Sequence, residues 1–142
     1  MKILIDADGC PVTKIAVEEA EKHNIEAVIY CDTSHDFSSY NAKVITVSKG
    51  ADSADFALVN DAESDDVVIT QDYGLAAMAL AKKAIPVTQN GLIINDFNID
   101  GLLTSRHVAK AARRAGKHMK GPAKRTPKQD EDFRKALLSL IE

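Results

Sequence analysis

Asp6, Asp52 and Asp72 each stand where a short apolar run gives way to a turn or a helix start, in the segments KILIDADG, VITVSKGADSAD and VVITQDYG. Asp8 and Asp55 follow closely behind the first two. Crowded carboxylates repel one another unless a cation shares the site. Three strand ends that each deliver an acid therefore point to a divalent-metal cleft. Asp6, Asp52 and Asp72 are the expected catalytic and principal metal ligands, with Asp8 or Asp55 assisting. Mg²⁺ and Mn²⁺ favour hard oxygen ligands, usually one or two carboxylates completed by waters and substrate phosphate. Ions held this way can stabilise both the attacking and the leaving oxygen of an in-line phosphoryl displacement. The chain offers no HExxH, His-x-x-His or Cys cluster for zinc. Phosphate chemistry is thus favoured over peptide hydrolysis.

Each acid also has a plainer reading. Asp52 and Asp72 suit helix N-caps, a role worth ~1 kcal/mol each. Asp8 and Asp55 suit an ordinary turn and a helix surface. Asp6 is harder to explain in that way, because it ends the strand expected at the centre of the sheet. Asp65 and Asp66 precede the fourth strand, at the opposite end from the cleft, and are expected in a solvated turn. Cys10 follows the Asp-rich turn, where it is either a nucleophile or a buried thiol. No Cys-x5-Arg phosphate loop follows it, which favours burial. Cys31 is expected in the core. His35, His107 and His118 share no ligand spacing and read as surface residues, the alternative for His107 or His118 being a place near phosphate. Lys49 is either a contact to the scissile phosphate or a turn lysine. Thr70 and Ser48 are candidates for orienting a carboxylate or a water.

These side chains need a scaffold that gathers strand ends. Residues 2–6, 26–31, 43–47, 66–70 and 85–88 read as strands, from their apolar and β-branched runs. Helices are expected over VTKIAVEEAEKH, with Pro11 in the first turn, from about Ser53 to Asn60, and from about Tyr73 to Lys83. Residues 32–42 and 89–98 read as loops, with a turn at Gly91. One helix is expected from about Ile99 to Ala115, broken by GKHMKGPAKRTP. Thr126 and Pro127 then open a last helix with Phe133, Leu137, Leu140 and Ile141 on its core face. Apolar strands alternating with helices imply an α/β fold: a mainly parallel sheet of about five strands, helices on both faces and a helical C-terminal tail. Ligands bind such sheets beyond the carboxyl ends of the strands, near the switch in strand order.

The 142 residues suit a single domain, with a basic helical extension over about 99–142. No apolar stretch is long enough for a membrane span. The opening MKILIDADG does not resemble a signal peptide, and two cysteines without a CxxC pairing suit a reduced, cytoplasmic setting. The net charge of −3 hides an asymmetry: residues 1–100 balance to −10 and residues 101–142 to +7. Nine basic residues and no acid lie between Arg106 and Lys128. A stretch of this kind suits a polyanionic partner, the alternative being a solvated helical face and loop. Arg106, Arg113, Arg114, Lys117, Lys120, Lys124 and Arg125, with Lys49, are the expected phosphate contacts. They would position a strand without reading its sequence. Few aromatics accompany them, so base stacking on this segment is not expected.

Two families resemble parts of this pattern. The run Asp6-Ala7-Asp8-Gly9-Cys10 resembles the nucleophile segment of haloacid-dehalogenase-like phosphatases, where one Asp attacks phosphorus and the next serves as acid and base. The chain carries Gln71-Asp72-Tyr73-Gly74 in place of that family's downstream metal motif, and it has no cap domain. A fuller resemblance joins Lys49-Gly50-Ala51-Asp52-Ser53-Ala54-Asp55 and Val67-Val68-Ile69-Thr70-Gln71-Asp72-Tyr73-Gly74-Leu75 to the PIN/NYN nuclease superfamily. Within it, Ile5-Asp6-Ala7-Asp8-Gly9-Cys10-Pro11-Val12, Gly121-Pro122, Thr126-Pro127 and Phe133 are similar to the YaiI/YqxD family of bacterial proteins. That resemblance spans essentially the whole chain. It implies a PIN-like three-layer sandwich and a Mg²⁺- or Mn²⁺-dependent ribonuclease built on Asp6, Asp52 and Asp72. The fourth acid of many PIN nucleases has no clear counterpart; Asp96 and the neutral oxygen of Asn90 are the candidates. An RNA-binding or ribosome-associated protein without catalysis is the alternative, and a homo-oligomer is compatible with either.

Overall fold

The computed structural model describes residues 1–32, 37, 39–47, 53–105 and 124–142. Its sheet is built from β1 (Lys2–Asp6), β2 (Glu26–Asp32), β3 (Lys43–Val47), β4 (Val67–Ile69) and β5 (Ile85–Val87). The order is β3-β2-β1-β4-β5, and all four pairings are parallel. Helices α1 (Thr13–Lys22), α2 (Ser53–Asp61) and α3 (Tyr73–Ala81) connect strands. Helix α4 covers residues 99–105 of the described chain, and α5 (Pro127–Ile141) closes it.

Residues alternate between the two faces of a strand. Ile3 and Ile5 of the central strand, with Ala7 just beyond it, pack with Val12, Ala16 and Ala20 around α1 and with Phe133 and Leu137 of α5. Leu4 points the other way, into a second core with Val28, Tyr30 and Val68 under Leu58 of α2 and Leu75 and Ala79 of α3. The result is three layers, as expected from the strand and helix pattern. A third, smaller cluster seats α4 on α3 through Ile99, Ile94 and Ala76. No helix among the described residues is long and apolar enough to cross a membrane.

The elements differ from expectation at their ends. Pro11 lies in a turn before α1 rather than inside it, and Val12 takes the N-cap position without a side-chain bond. β2 runs one residue further, because Asp32 pairs with Val47. β4 is shorter than expected, and Asp66, read as a solvated turn residue, is buried at 2% exposure. The parallel register of β1 and β4, with Ile3 opposite Val67, brings Lys2 alongside it. Asp66 accepts from the Lys2 and Glu63 backbone N–H groups, each at 2.9 Å, and pairs with Lys2 Nζ at 3.2 Å. A carboxylate that caps a sheet end in this way can be buried because its oxygens are satisfied.

Pro86 sits in β5, an edge strand, where a missing N–H is tolerated. The chain turns back after β5, and Ile93 bridges Val87 in antiparallel fashion. Gly91 makes that turn at φ +86°, and a Cβ there would lie 2.6 Å from the Asp132 carbonyl oxygen of α5. Arg134 of α5 pairs with the buried Glu19 of α1, tying the last helix to the first.

Candidate functional site

In the strand order, β2 and β3 lie on one side of β1, and β4 and β5 on the other. The switch in direction therefore falls between β1 and β4, and a crevice is expected beyond their carboxyl ends. Asp6 ends β1, and alternation places it on the same face as Leu4, where α2 and α3 begin. Thr70 follows β4 one position beyond the Ile5–Ile69 pair. Its hydroxyl donates to Asp6 Oδ2 at 2.8 Å and accepts from the Asp72 N–H at 3.0 Å. One threonine thus ties the ends of both strands, as anticipated for a residue that orients a carboxylate.

Asp72 is the N-cap of α3. Its Oδ1 accepts from the Gly74 and Leu75 N–H groups at 2.8 and 3.2 Å. The capping role read from sequence is thereby realised, and it fixes the carboxylate beside the crevice. Asp55 lies in the first turn of α2. Asp8 follows β1 in a turn completed by Gly9 at φ +72°, and its Oδ1 accepts from the Asp32 N–H at 3.4 Å. Asp6 feels this company. Burial, with the charges of Asp55, Asp8 and Asp72 adding to it and the Thr70 hydrogen bond opposing, pushes its carboxyl up to about 6.

A narrow cavity of about 60 Å³ opens here. Asp6, Asp8, Gly9 and Cys10 line it from the β1 side, Ile69, Thr70 and Gln71 from β4, and Gln89 from beyond β5. Burial pushes the Cys10 thiol up, which keeps it protonated and does not favour a nucleophile. Cys31 is fully buried, as expected. Gln71 and Gln89 were not singled out in the sequence. The only signal for Gln71 was its place between Thr70 and Asp72; for Gln89 there was none, since the approach of β5 to β4 is a tertiary event.

Arg125 stands at the edge of this crevice. Its Nη2 donates to the Gln89 carbonyl and its Nη1 to Asn90 Oδ1, both at 2.8 Å, while Nε pairs with Asp130 at 2.7 Å. Asn90, a candidate for a neutral metal oxygen, is engaged by this guanidinium. Asp96 is exposed in the turn before α4. Lys124 is exposed next to Arg125. Asp52, Lys49, Arg106, Arg113, Arg114, Lys117 and Lys120 lie outside the described residues, as do Ser48, His35, His107 and His118.

The residues that line the cavity include two carboxylates, a hydroxyl and two amides, donor types that suit a hard cation. Among the described residues, no three His, Cys, Asp or Glu side chains stand close enough to form a metal cage. Mg²⁺ and Mn²⁺ do not need one, since one or two carboxylates with waters suffice.

These features define an α/β protein with an acid-lined crevice at the switch point of a parallel sheet. Residues 4–142 match the family described as "Uncharacterized BCR, YaiI/YqxD family", and the chain belongs to it. It is 46% identical over 141 residues to a UPF0178 protein of Exiguobacterium sibiricum, covering 99% of this chain and 96% of the relative. It is 48% identical over 143 residues to a UPF0178 protein of Clostridium acetobutylicum, covering 99% and 97%. No solved structure matches.

Proposed function

We propose that the protein is a Mg²⁺- or Mn²⁺-dependent nuclease that hydrolyses phosphodiester bonds, in RNA rather than DNA. The observation that carries this reading is the setting of Asp6, a partly buried carboxylate at the β1–β4 switch, raised to about 6 by burial and by three neighbouring acids. Such crowding costs stability in the absence of a cation, and perturbed carboxylates in a cleft are a mark of functional sites. The choice of RNA rests on the resemblance to PIN/NYN nucleases.

Asp6, Asp8, Asp55 and Asp72, with Asp52, are the residues that would hold the ion. When bound, it would offset their charge, polarise the phosphate and make water more acidic. Thr70 holds Asp6 through Oδ2, which would keep its other oxygen available to a cation or a water. Lys49, Arg106, Arg113, Arg114, Lys117, Lys120 and Lys124 would draw in the phosphate backbone. Arg125 would add its charge at the crevice edge, although three of its N–H groups already serve the protein.

The test is cleavage of a labelled oligoribonucleotide against a Mn²⁺ titration, with an Asp6→Asn/Asp72→Asn double variant as control. Metal-dependent cleavage that disappears in the double variant supports the reading. Binding without cleavage points to the non-catalytic RNA-binding alternative, and turnover of small phosphomonoesters through a phospho-Asp6 points to a phosphatase. Replacing Arg113, Arg114 and Lys117 by Ala should flatten the slope of binding against log salt, by roughly 0.7 for each phosphate that is no longer neutralised.

A further inference from the structure

We infer that Gln71 and Gln89 form the substrate-binding wall of the crevice and hold the phosphodiester, with Arg125 as the positioning residue behind Gln89. The inference rests on the nuclease reading for its substrate class. An anionic strand that enters this cavity meets carboxylates on the β1 side, which as anions accept hydrogen bonds and repel phosphate. The Thr70 hydroxyl already donates to Asp6. The neutral Cys10 thiol is a weak donor. Among the side chains of the residues that line the cavity, that leaves the two glutamine amides, on its β4 and β5 side.

Gln71 is exposed and Gln89 half-buried, so both amides can be reached from solvent, whereas the acids around them are engaged. An amide N–H can bind a phosphate oxygen without competing for a cation, and its carbonyl oxygen can accept from a sugar hydroxyl. Gln89 is also the better anchored of the two. Arg125 grips its carbonyl and the next side chain, Asn90, and is itself tied to Asp130 in the first turn of α5. The same arginine follows directly on the basic segment. The wall that meets the phosphodiester and the segment expected to draw in the backbone are thereby joined through one guanidinium.

The experiment measures binding of a fluorescent ten-nucleotide oligoribonucleotide by anisotropy with Mg²⁺, and its cleavage with Mn²⁺. The full chain is compared with Gln71→Glu, Gln89→Glu, Gln89→Ala, Arg125→Ala and Arg125→Lys. Glu keeps the shape of Gln but replaces the N–H donors with charge. We expect each Gln→Glu variant to weaken binding and raise KM by about tenfold or more, with a smaller change in kcat. Arg125→Ala should raise KM in the same way, and Arg125→Lys, which cannot make the bidentate grip, should rescue it only in part. Circular dichroism and urea melts identify any variant that fails to fold, and the remaining variants then decide. If the wild type cleaves and the Gln variants match it in KM, this proposal is overturned and the nuclease reading stands. If the wild type binds in a Gln-dependent way without cleaving, the wall stands and hydrolysis falls. A wild type that neither binds nor cleaves overturns both.

Discussion

The Thr70 hydroxyl donates to Asp6 Oδ2 at 2.8 Å, joining the carboxyl end of β4 to that of β1. Because Thr70 Oγ1 accepts the Asp72 N–H at 3.0 Å, it also sets the start of α3 against the crevice. Thr70 is buried at 2% exposure, so neither bond competes much with water. A side chain of no catalytic power of its own thus determines where two of the proposed metal-binding acids stand.

Thr70→Val keeps the shape and removes the hydroxyl. The hydrogen bond now opposes the rise of the Asp6 carboxyl, so its loss should raise that carboxyl further, above about 6. Carboxyl ¹³C titration would read this directly. Cleavage should fall about tenfold or more, as when a preorganised hydrogen bond is removed from a reacting site. Thr70→Ser, which retains the donor, should restore most of both. An unchanged Asp6 titration in Thr70→Val would contradict the assigned bond.

Asp6 itself should destabilise the metal-free protein at neutral pH. Its folded carboxyl lies near 6, against an ordinary value of 3.8. The folded state therefore binds the proton more tightly than the unfolded chain. Its contribution favours folding below the ordinary value and is lost as pH rises through about 6. In EDTA, Asp6→Asn should melt a few degrees higher than wild type at about pH 7.5, with the gain fading toward about pH 4. Calorimetry at the two pH values checks the sign. A variant less stable than wild type at the higher pH would show that Asp6 is structurally stabilising as a charge.

Asp72 combines two roles that substitutions can separate. Asn is as good an N-cap as Asp, so Asp72→Asn should retain the cap while losing a charge. Asp72→Ala should cost ~1 kcal/mol in a urea melt. Cleavage should be lost in both. Full activity in Asp72→Asn would reduce Asp72 to a cap and remove it from the metal site.

The chemistry-bearing positions were legible where they followed local pattern. Strand β1 ends at Asp6 because apolar Ile3, Leu4 and Ile5 give way to an Asp-Gly turn, and α3 starts after Asp72 because a capping acid precedes an Ala-rich run. The last helix was equally clear from Thr126-Pro127 and its apolar spacing. What could not be read locally depends on which strands become neighbours. Asp66 looked solvated because nothing near it in sequence is cationic; its partner Lys2 is 64 positions away and arrives through the β1–β4 register. Arg125 read as one more phosphate contact in a basic run. Its grip on Gln89 and Asn90 required the turn at Gly91 to meet α5. Gln71 and Gln89 carry no charge and no motif, and only the assembled sheet places them in one cavity.

The proposed hydrolysis depends on a divalent cation in the crevice at the ends of β1 and β4. Crystals soaked in Mn²⁺ and measured at the manganese absorption edge would reveal it. An anomalous peak is expected within coordination distance, about 2.0–2.2 Å, of an Asp6 oxygen, with at least one further ligand among Asp8, Asp52, Asp55 and Asp72. A saturating soak that leaves Asp6 without a peak, or places manganese only elsewhere, would contradict it.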